Sequence, residues 1–286
     1  FVVVKLSLSV RVAESFRDKR VATMELDQLA SLASEVGYHA ICLRASQVGI
    51  DSSKEQIRAS SAILDQHQLT ASMATGDFAI PENSADGPAA LHNITPYLDL
   101  AEALDCELLR VAMKTADDLE HAQRSADEAE ERGIRLAHQC HTQSLFETLD
   151  ETLEVLRGIG RKNFGLIYEP ANLELCGQDV GGATIEALAP WIFNVYVQNQ
   201  RLHPAGVDQI TTWCRGNVHF DQIPLWDPNG LNFESIIADL AEVGYDSYVT
   251  VHQASAGLGG GAEAARRSAE FLRKMGPFDQ RSANDA

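Results

Sequence analysis

Two short segments end apolar runs in side chains that do acid–base chemistry: Leu136-Ala137-His138-Gln139-Cys140-His141 and Leu166-Ile167-Tyr168-Glu169-Pro170-Ala171-Asn172. In the second, a carboxylate stands directly after a buried run and is stiffened by the following proline, so Glu169 is placed with little freedom and partly desolvated. It is the strongest candidate for a catalytic group; capping the next segment or pairing with an arginine is its structural alternative. Asn172, one turn further on, can hydrogen-bond a substrate hydroxyl or stabilise its own loop. In the first segment a strand's period of two decides the faces. With Gln139 inward, Ala137 and His141 follow it, and His138 turns outward as a structural residue. His141 is then a candidate acid, base or substrate ligand. The His-x-x-His spacing is a weak metal signal, because on a strand those rings point to opposite faces. Arg44, and Arg110 with Lys114, also follow apolar runs; they can engage a carboxylate, phosphate or hydroxyl, or form outer salt bridges.

These side chains converge only if the runs before them are neighbouring strands. Eight such runs occur: Val2–Leu8, His39–Arg44, Thr70–Thr75, Leu108–Met113, Ile134–Cys140, Phe164–Tyr168, Ile192–Val197 and Ser247–Val251, none containing proline. Amphipathic helical patterns lie between them, among them Leu26, Leu29, Ala30, Ala33 and Val36, and Phe233, Ile236, Ile237, Leu240 and Val243. The run Glu35-Val36-Gly37-Tyr38 recurs as Glu242-Val243-Gly244-Tyr245, each time closing a helix before a strand with a glycine suited to the left-handed conformation. An open doubly wound sheet is the alternative, but no Gly-x-Gly-x-x-Gly follows the first strand and eight units fit closure. The expected fold is α/β, a single-domain (β/α)8 TIM barrel over 1–276 with a polar tail at 277–286. The C-terminal ends of the strands are its active-site face.

Composition narrows the partners. The chain has 41 Asp and Glu against 23 Lys and Arg, a formal net charge of −18. Such a surface repels nucleic acid and anionic membranes, so neither is an expected partner. Much of the acidity falls in solvated helix faces such as 117–132. Five cysteines without Cys-x-x-Cys spacing argue against a disulfide framework or a structural zinc site. No apolar run approaches the roughly 20 residues of a membrane span. The cytoplasm is the expected compartment, with Phe1 in the first position keeping a removed export signal open as the alternative.

The chain resembles the xylose isomerase-like barrel superfamily of sugar isomerases and epimerases over almost its whole length. The resemblance is carried by Leu136-Ala137-x-Gln139-x-His141, by Glu169-Pro170-Ala171-Asn172-Leu173, and by Asn194-Val195-Tyr196-Val197-Gln198-Asn199. Gly230-Leu231-Asn232-Phe233, Val243-Gly244-Tyr245 and the closing helix 265–273 add to it. It implies one divalent cation held by Glu, Asp, His and Glu at the ends of strands five to eight. Those places read here as Gln139, Glu169, Tyr196 and His252, so every one departs and a degenerate metal site is implied. A weak Mn²⁺ or Zn²⁺ site assembled from Glu169, His252 and Gln139, with His141 or His219 completing it, is one expectation. Without metal, Glu169 and His252 would act as base and acid, and Gln139 and Gln198 would donate to a carbonyl or enediolate oxygen. The implied activity is proton abstraction beside the carbonyl of a sugar or keto-sugar, giving isomerisation, epimerisation or elimination, with no nucleotide cofactor. A catalytically inactive barrel that only binds a sugar or a partner is the rival, and either reading leaves a homo-oligomer open.

Two loops complete the expected rim. The connection 212–227 is long and dense in aromatic and charged side chains. Long βα loops carry specificity in barrels, so Trp213 and Trp226 are candidates to stack on a sugar and His219 to reach the site. Loop packing or a subunit contact is the alternative. Gly257-Leu258-Gly259-Gly260-Gly261 opens onto the last helix, where barrels often bind phosphate; a lid or a simple loop is the alternative.

Overall fold

The computed structural model describes residues 4–15, 17–254, 258–276 and 278–279. The strands are β1 (Lys5–Ser9), β2 (Ala40–Arg44), β3 (Thr70–Thr75), β4 (Leu108–Val111), β5 (Arg135–Gln139), β6 (Phe164–Tyr168), β7 (Ile192–Val197), β8 (Asn199–Leu202), β9 (Asp208–Thr212), β10 (Gly216–Ile223) and β11 (Tyr248–Val251). Eight of them close into a parallel barrel in the order β1-β11-β7-β6-β5-β4-β3-β2. The chain is a (β/α)8 TIM barrel. Its helices are α1 (Leu26–Val36), α2 (Lys54–Gln66), α3 (Ala89–His92), α4 (Thr95–Ala103), α5 (Asp118–Glu131), α6 (Leu149–Ile159), α7 (Pro170–Leu175), α8 (Gly182–Leu188), α9 (Phe233–Glu242) and α10 (Gly261–Arg273).

Strand alternation sorts the apolar residues into two layers. Cys42, Met73, Leu108, Ala137, Ile167 and Tyr196 form one cluster inside the barrel. Their strand neighbours, among them Ile41, Leu43, Leu109, Leu136, Leu166 and Val195, join the larger cluster under the helices. The stripe of α1 buries Leu26, Leu29, Ala30 and Ala33, and that of α9 buries Phe233, Ile236, Ile237 and Leu240. Each large apolar side chain so buried contributes on the order of 2 kcal/mol. The repeated glycines do the same job twice: Gly37 and Gly244 have φ of 87° and 76°, a conformation that side chains with a Cβ rarely adopt.

The strand boundaries differ from the sequence reading in places. Val2 and Val3 lie outside the described residues, β1 runs on to Ser9, and Met113 and Cys140 have already left the ladders of β4 and β5. Phe278 is buried and bridges Val4, and most of the polar tail expected at 277–286 lies outside the described residues. The segment expected as a loop between β7 and α9 instead contains an antiparallel sheet, β8-β10-β9. Among the described residues no helix is long and apolar enough to cross a membrane.

Candidate active site

On six strands the interior apolar residue is followed, two positions on, by a polar one. Cys42 leads to Arg44, Met73 to Thr75, Leu108 to Arg110, Ala137 to Gln139, Ile167 to Glu169 and Tyr196 to Gln198. Two residues lift a side chain about 7 Å along a strand on the same face, so these polar groups form a layer above the dry interior. His252 stands in the same relation to Thr250 on β11. Above this layer lies a pocket of about 270 Å³, lined by Arg11, Lys19, Arg44, Arg110, His141 and His252 and by the amides of Gln139, Asn172 and Gln198.

Glu169 is fully buried beneath these amides. The Nε2 groups of Gln139 and Gln198 donate to its two carboxylate oxygens, and Asn172 Nδ2 donates to Oε2 at 2.6 Å. Asn172 is itself fixed by a second bond to the Cys140 carbonyl at 2.9 Å. Burial raises the Glu169 pKa to about 7, against the opposing pull of the three amides and of Arg110. A carboxylic acid poised there can gain and lose a proton near neutrality.

His252 is oriented by neighbours on three sides. Its Nδ1 lies 2.9 Å from Ser9 Oγ, its ring stacks on Tyr196 with centroids 4.0 Å apart, and Nε2 lies 3.4 Å from Arg44 Nη1. A guanidinium can only donate, so Nε2 accepts and Nδ1 carries the hydrogen. Burial, with Arg44, Arg110, Arg11 and Lys19 nearby, pushes the imidazole pKa well below its ordinary value. Burial holds His141 at about 3. Both rings are neutral, and the acid role expected for them lacks a proton source of its own at neutral pH.

The cations are the feature that the sequence reading underweighted. Arg44 and Arg11 flank the buried Glu14, at 3.0 Å and 3.7 Å. Arg110 is buried, and its Nε has no hydrogen-bond partner among the described residues; the same holds for Arg44 Nη2. Lys19 Nζ donates to the Pro81 carbonyl at 2.7 Å, and burial together with the three arginines lowers its pKa to about 8. Arg11 and Lys19 went unread because both follow the strand proper, Arg11 in a 3-10 turn (Val10–Ala13) and Lys19 in a loop. The available signal was Arg11 and Glu14 interrupting an apolar run just past β1.

The donor set at Gln139, Glu169, Tyr196 and His252 does not fit a divalent cation. Three amide N–H groups point at the Glu169 carboxylate, where a metal would have to bind. Tyr196 hydroxyl, its pKa raised by burial, shares a hydrogen bond of 3.2 Å with Cys42 Sγ, and His252 Nε2 faces a guanidinium. Among the described residues, the one group of three His, Cys, Asp or Glu side chains with ligand atoms mutually within 4.8 Å is Glu147, Cys176 and Cys214. Glu147 there already accepts the backbone N–H groups of Trp213 and Cys214.

Other expected rim residues lie elsewhere. His219 is exposed on β10, because the buried positions on either side of it are Val218 and Phe220, and it lines no part of the pocket. Trp226 packs on the outer core with the Arg267 guanidinium 4.0 Å above its ring, and Trp213 is 55% exposed. Lys114 is tied to Asn83 Oδ1 and the Gln143 carbonyl. His138 stacks on Phe146 outside the barrel, as its alternation requires. None of Leu258–Gly261 lines the pocket, and Gly257 lies outside the described residues.

The model of the xylose isomerase-like TIM barrel family matches residues 30–275. A search of curated proteins finds no match. Among solved structures, a probable 3-DHS dehydratase involved in petrobactin synthesis, from Bacillus anthracis, is 18% identical, with TM-score 0.68 over 94% of this chain and 98% of that one. A D-allulose 3-epimerase from Methylomonas sp., in complex with D-allulose, is 17% identical, with TM-score 0.65 over 96% and 98%. A xylose isomerase-like TIM barrel protein from Mycobacterium smegmatis, in complex with magnesium, is 14% identical, with TM-score 0.67 over 95% and 96%. At these identities the likeness establishes the fold and no particular reaction.

Proposed function

The chain belongs to the xylose isomerase-like TIM barrel family, and from that premise we propose that it is an enzyme that removes a proton beside the carbonyl of a small sugar-like substrate. Isomerisation, epimerisation and elimination of water all begin with this step. The epimerase and dehydratase among its structural neighbours are consistent with that range. The observation that carries the reading is Glu169: a fully buried carboxylate at a strand end, with its pKa near 7, beneath a pocket rich in hydrogen-bond donors.

In this reading Glu169 takes the proton from carbon and returns it to the neighbouring carbon in an isomerisation or to the departing hydroxyl in an elimination; a change of configuration at the same carbon needs the proton back on the opposite face. Gln139, Asn172 and Gln198 hold its two oxygens, which makes them positioning residues; their N–H groups serve the carboxylate rather than a substrate carbonyl. The negative charge that develops on the carbonyl oxygen meets the guanidinium of Arg110, which lines the pocket. His252, neutral and anchored to Ser9, steadies Arg44. Metal is given no part, because the donor set does not fit one.

Glu169→Gln tests the assignment. The substitution hardly changes volume, and it should lower turnover about 10³-fold while substrate still binds. Near-full activity in this variant would move the base elsewhere. Binding without turnover in the wild-type protein would favour a barrel that only binds its ligand.

A further inference from the structure

The pocket holds more positive charge than proton abstraction needs. Arg11, Lys19, Arg44 and Arg110 line it, and the carboxylates facing them are Glu14 and Glu169. With all six groups ionised, two positive charges are left over, in a chain whose formal net charge is −18. Surface electrostatics do not explain this, since Arg44 and Arg110 are only 2% and 4% exposed. A buried guanidinium with an unpaired N–H is costly, and a fold retains it where a ligand completes the pairing. Proton transfer to Glu169 moves its negative charge onto the enolate and leaves this surplus unchanged, so a neutral sugar matches neither charge.

We propose that Arg44 and Lys19, with Arg11 behind them, form a carboxylate subsite, and that the substrate is a polyhydroxylated acid rather than a neutral sugar. This rests on the proton-abstraction reading only for the side of the pocket around Glu169. The planar guanidinium of Arg44 is matched to a carboxylate, and Lys19, held at the Pro81 carbonyl, adds an ammonium in the pocket wall. A phosphate ester would offer the same charge, but the glycine-rich segment that could cradle one, Leu258–Gly261 in its described part, is not in the pocket wall.

The test compares matched pairs at constant ionic strength by thermal shift and calorimetry: uronic and aldonic acids, their neutral parent sugars, the corresponding sugar phosphates, and inorganic phosphate and sulfate. At saturation an acid should raise the melting midpoint by about 5 °C while its neutral parent does not. Lys19→Met, at a half-buried position, should keep the fold and weaken that acid about 10-fold; Arg44→Met should weaken it about 100-fold. Equal stabilisation by acids and neutral parents, no stabilisation by any acid, or stabilisation by phosphate compounds alone would overturn the carboxylate subsite. Glu169→Gln separates the two claims. If acids bind it as well as they bind wild type, the subsite stands whatever becomes of turnover. If wild type turns over neutral sugars and ignores acids, the base assignment survives and the subsite falls.

Discussion

Glu169 is held in the fold with its pKa near 7, against 4.5 for an ordinary glutamate. The folded protein therefore binds this proton more tightly than the unfolded chain between those values. Its contribution to stability is fully present below about pH 4.5 and is lost as the pH rises through about 7. At 1.36 kcal/mol per pKa unit the loss is about 3 kcal/mol. Glu169→Gln should remove that dependence, so the variant's stability relative to wild type should rise between pH 5 and pH 8 in denaturant titrations. A constant difference at the two pH values would mean that the carboxylate is not strained by burial. This residue was legible because it ends an apolar strand and precedes proline. Gln139, Asn172 and Gln198 were legible as rim residues, but not as its partners, since the sequence does not show which amide turns toward which carboxylate. His252 illustrates the converse: its position two residues above the interior layer was readable, whereas its neutrality comes from burial and then from cations on four other segments.

At the level of elements, the sheet β8-β10-β9 is the largest departure from the sequence reading. Asn199–Leu202 is mostly polar, and the apolar cluster beneath the sheet is small: Leu175, Val218 and Phe220, with Leu202 and Ile210 against them. So little apolar alternation reads as loop. The sheet is instead pinned by a carboxylate from the loop after β5, two strands along the barrel from β7. Glu147, buried after β5, accepts the backbone N–H of Trp213 at 2.8 Å and of Cys214 at 2.7 Å in the β9–β10 turn. Glu147→Ala should cost about 2–3 kcal/mol and speed proteolysis within 212–216, while the barrel's circular dichroism is unchanged. Unaltered cleavage there would show that strand pairing alone holds the hairpin.

Across the whole molecule the barrel was legible because eight apolar runs, the helix stripes and the two glycine closures all repeat one rule, and agreement among levels is what makes a fold readable. The charge distribution was not. A net −18 gives no sign that four cations meet at one pocket, because they come from β2, β4 and the segments after β1, and only closure brings them together. That convergence, placed over a buried acid, is the basis for reading the molecule as a proton-abstracting enzyme without a metal. The most direct test is solvent isotope exchange: chelator-treated protein is incubated in D₂O with a panel of keto acids and ketoses, and deuterium on the carbon beside the carbonyl is followed by NMR. The account predicts enzyme-dependent incorporation into at least one keto acid, undiminished by chelator and lost in Glu169→Gln. No incorporation by the wild-type protein, incorporation unchanged in Glu169→Gln, or incorporation abolished by the chelator would contradict it.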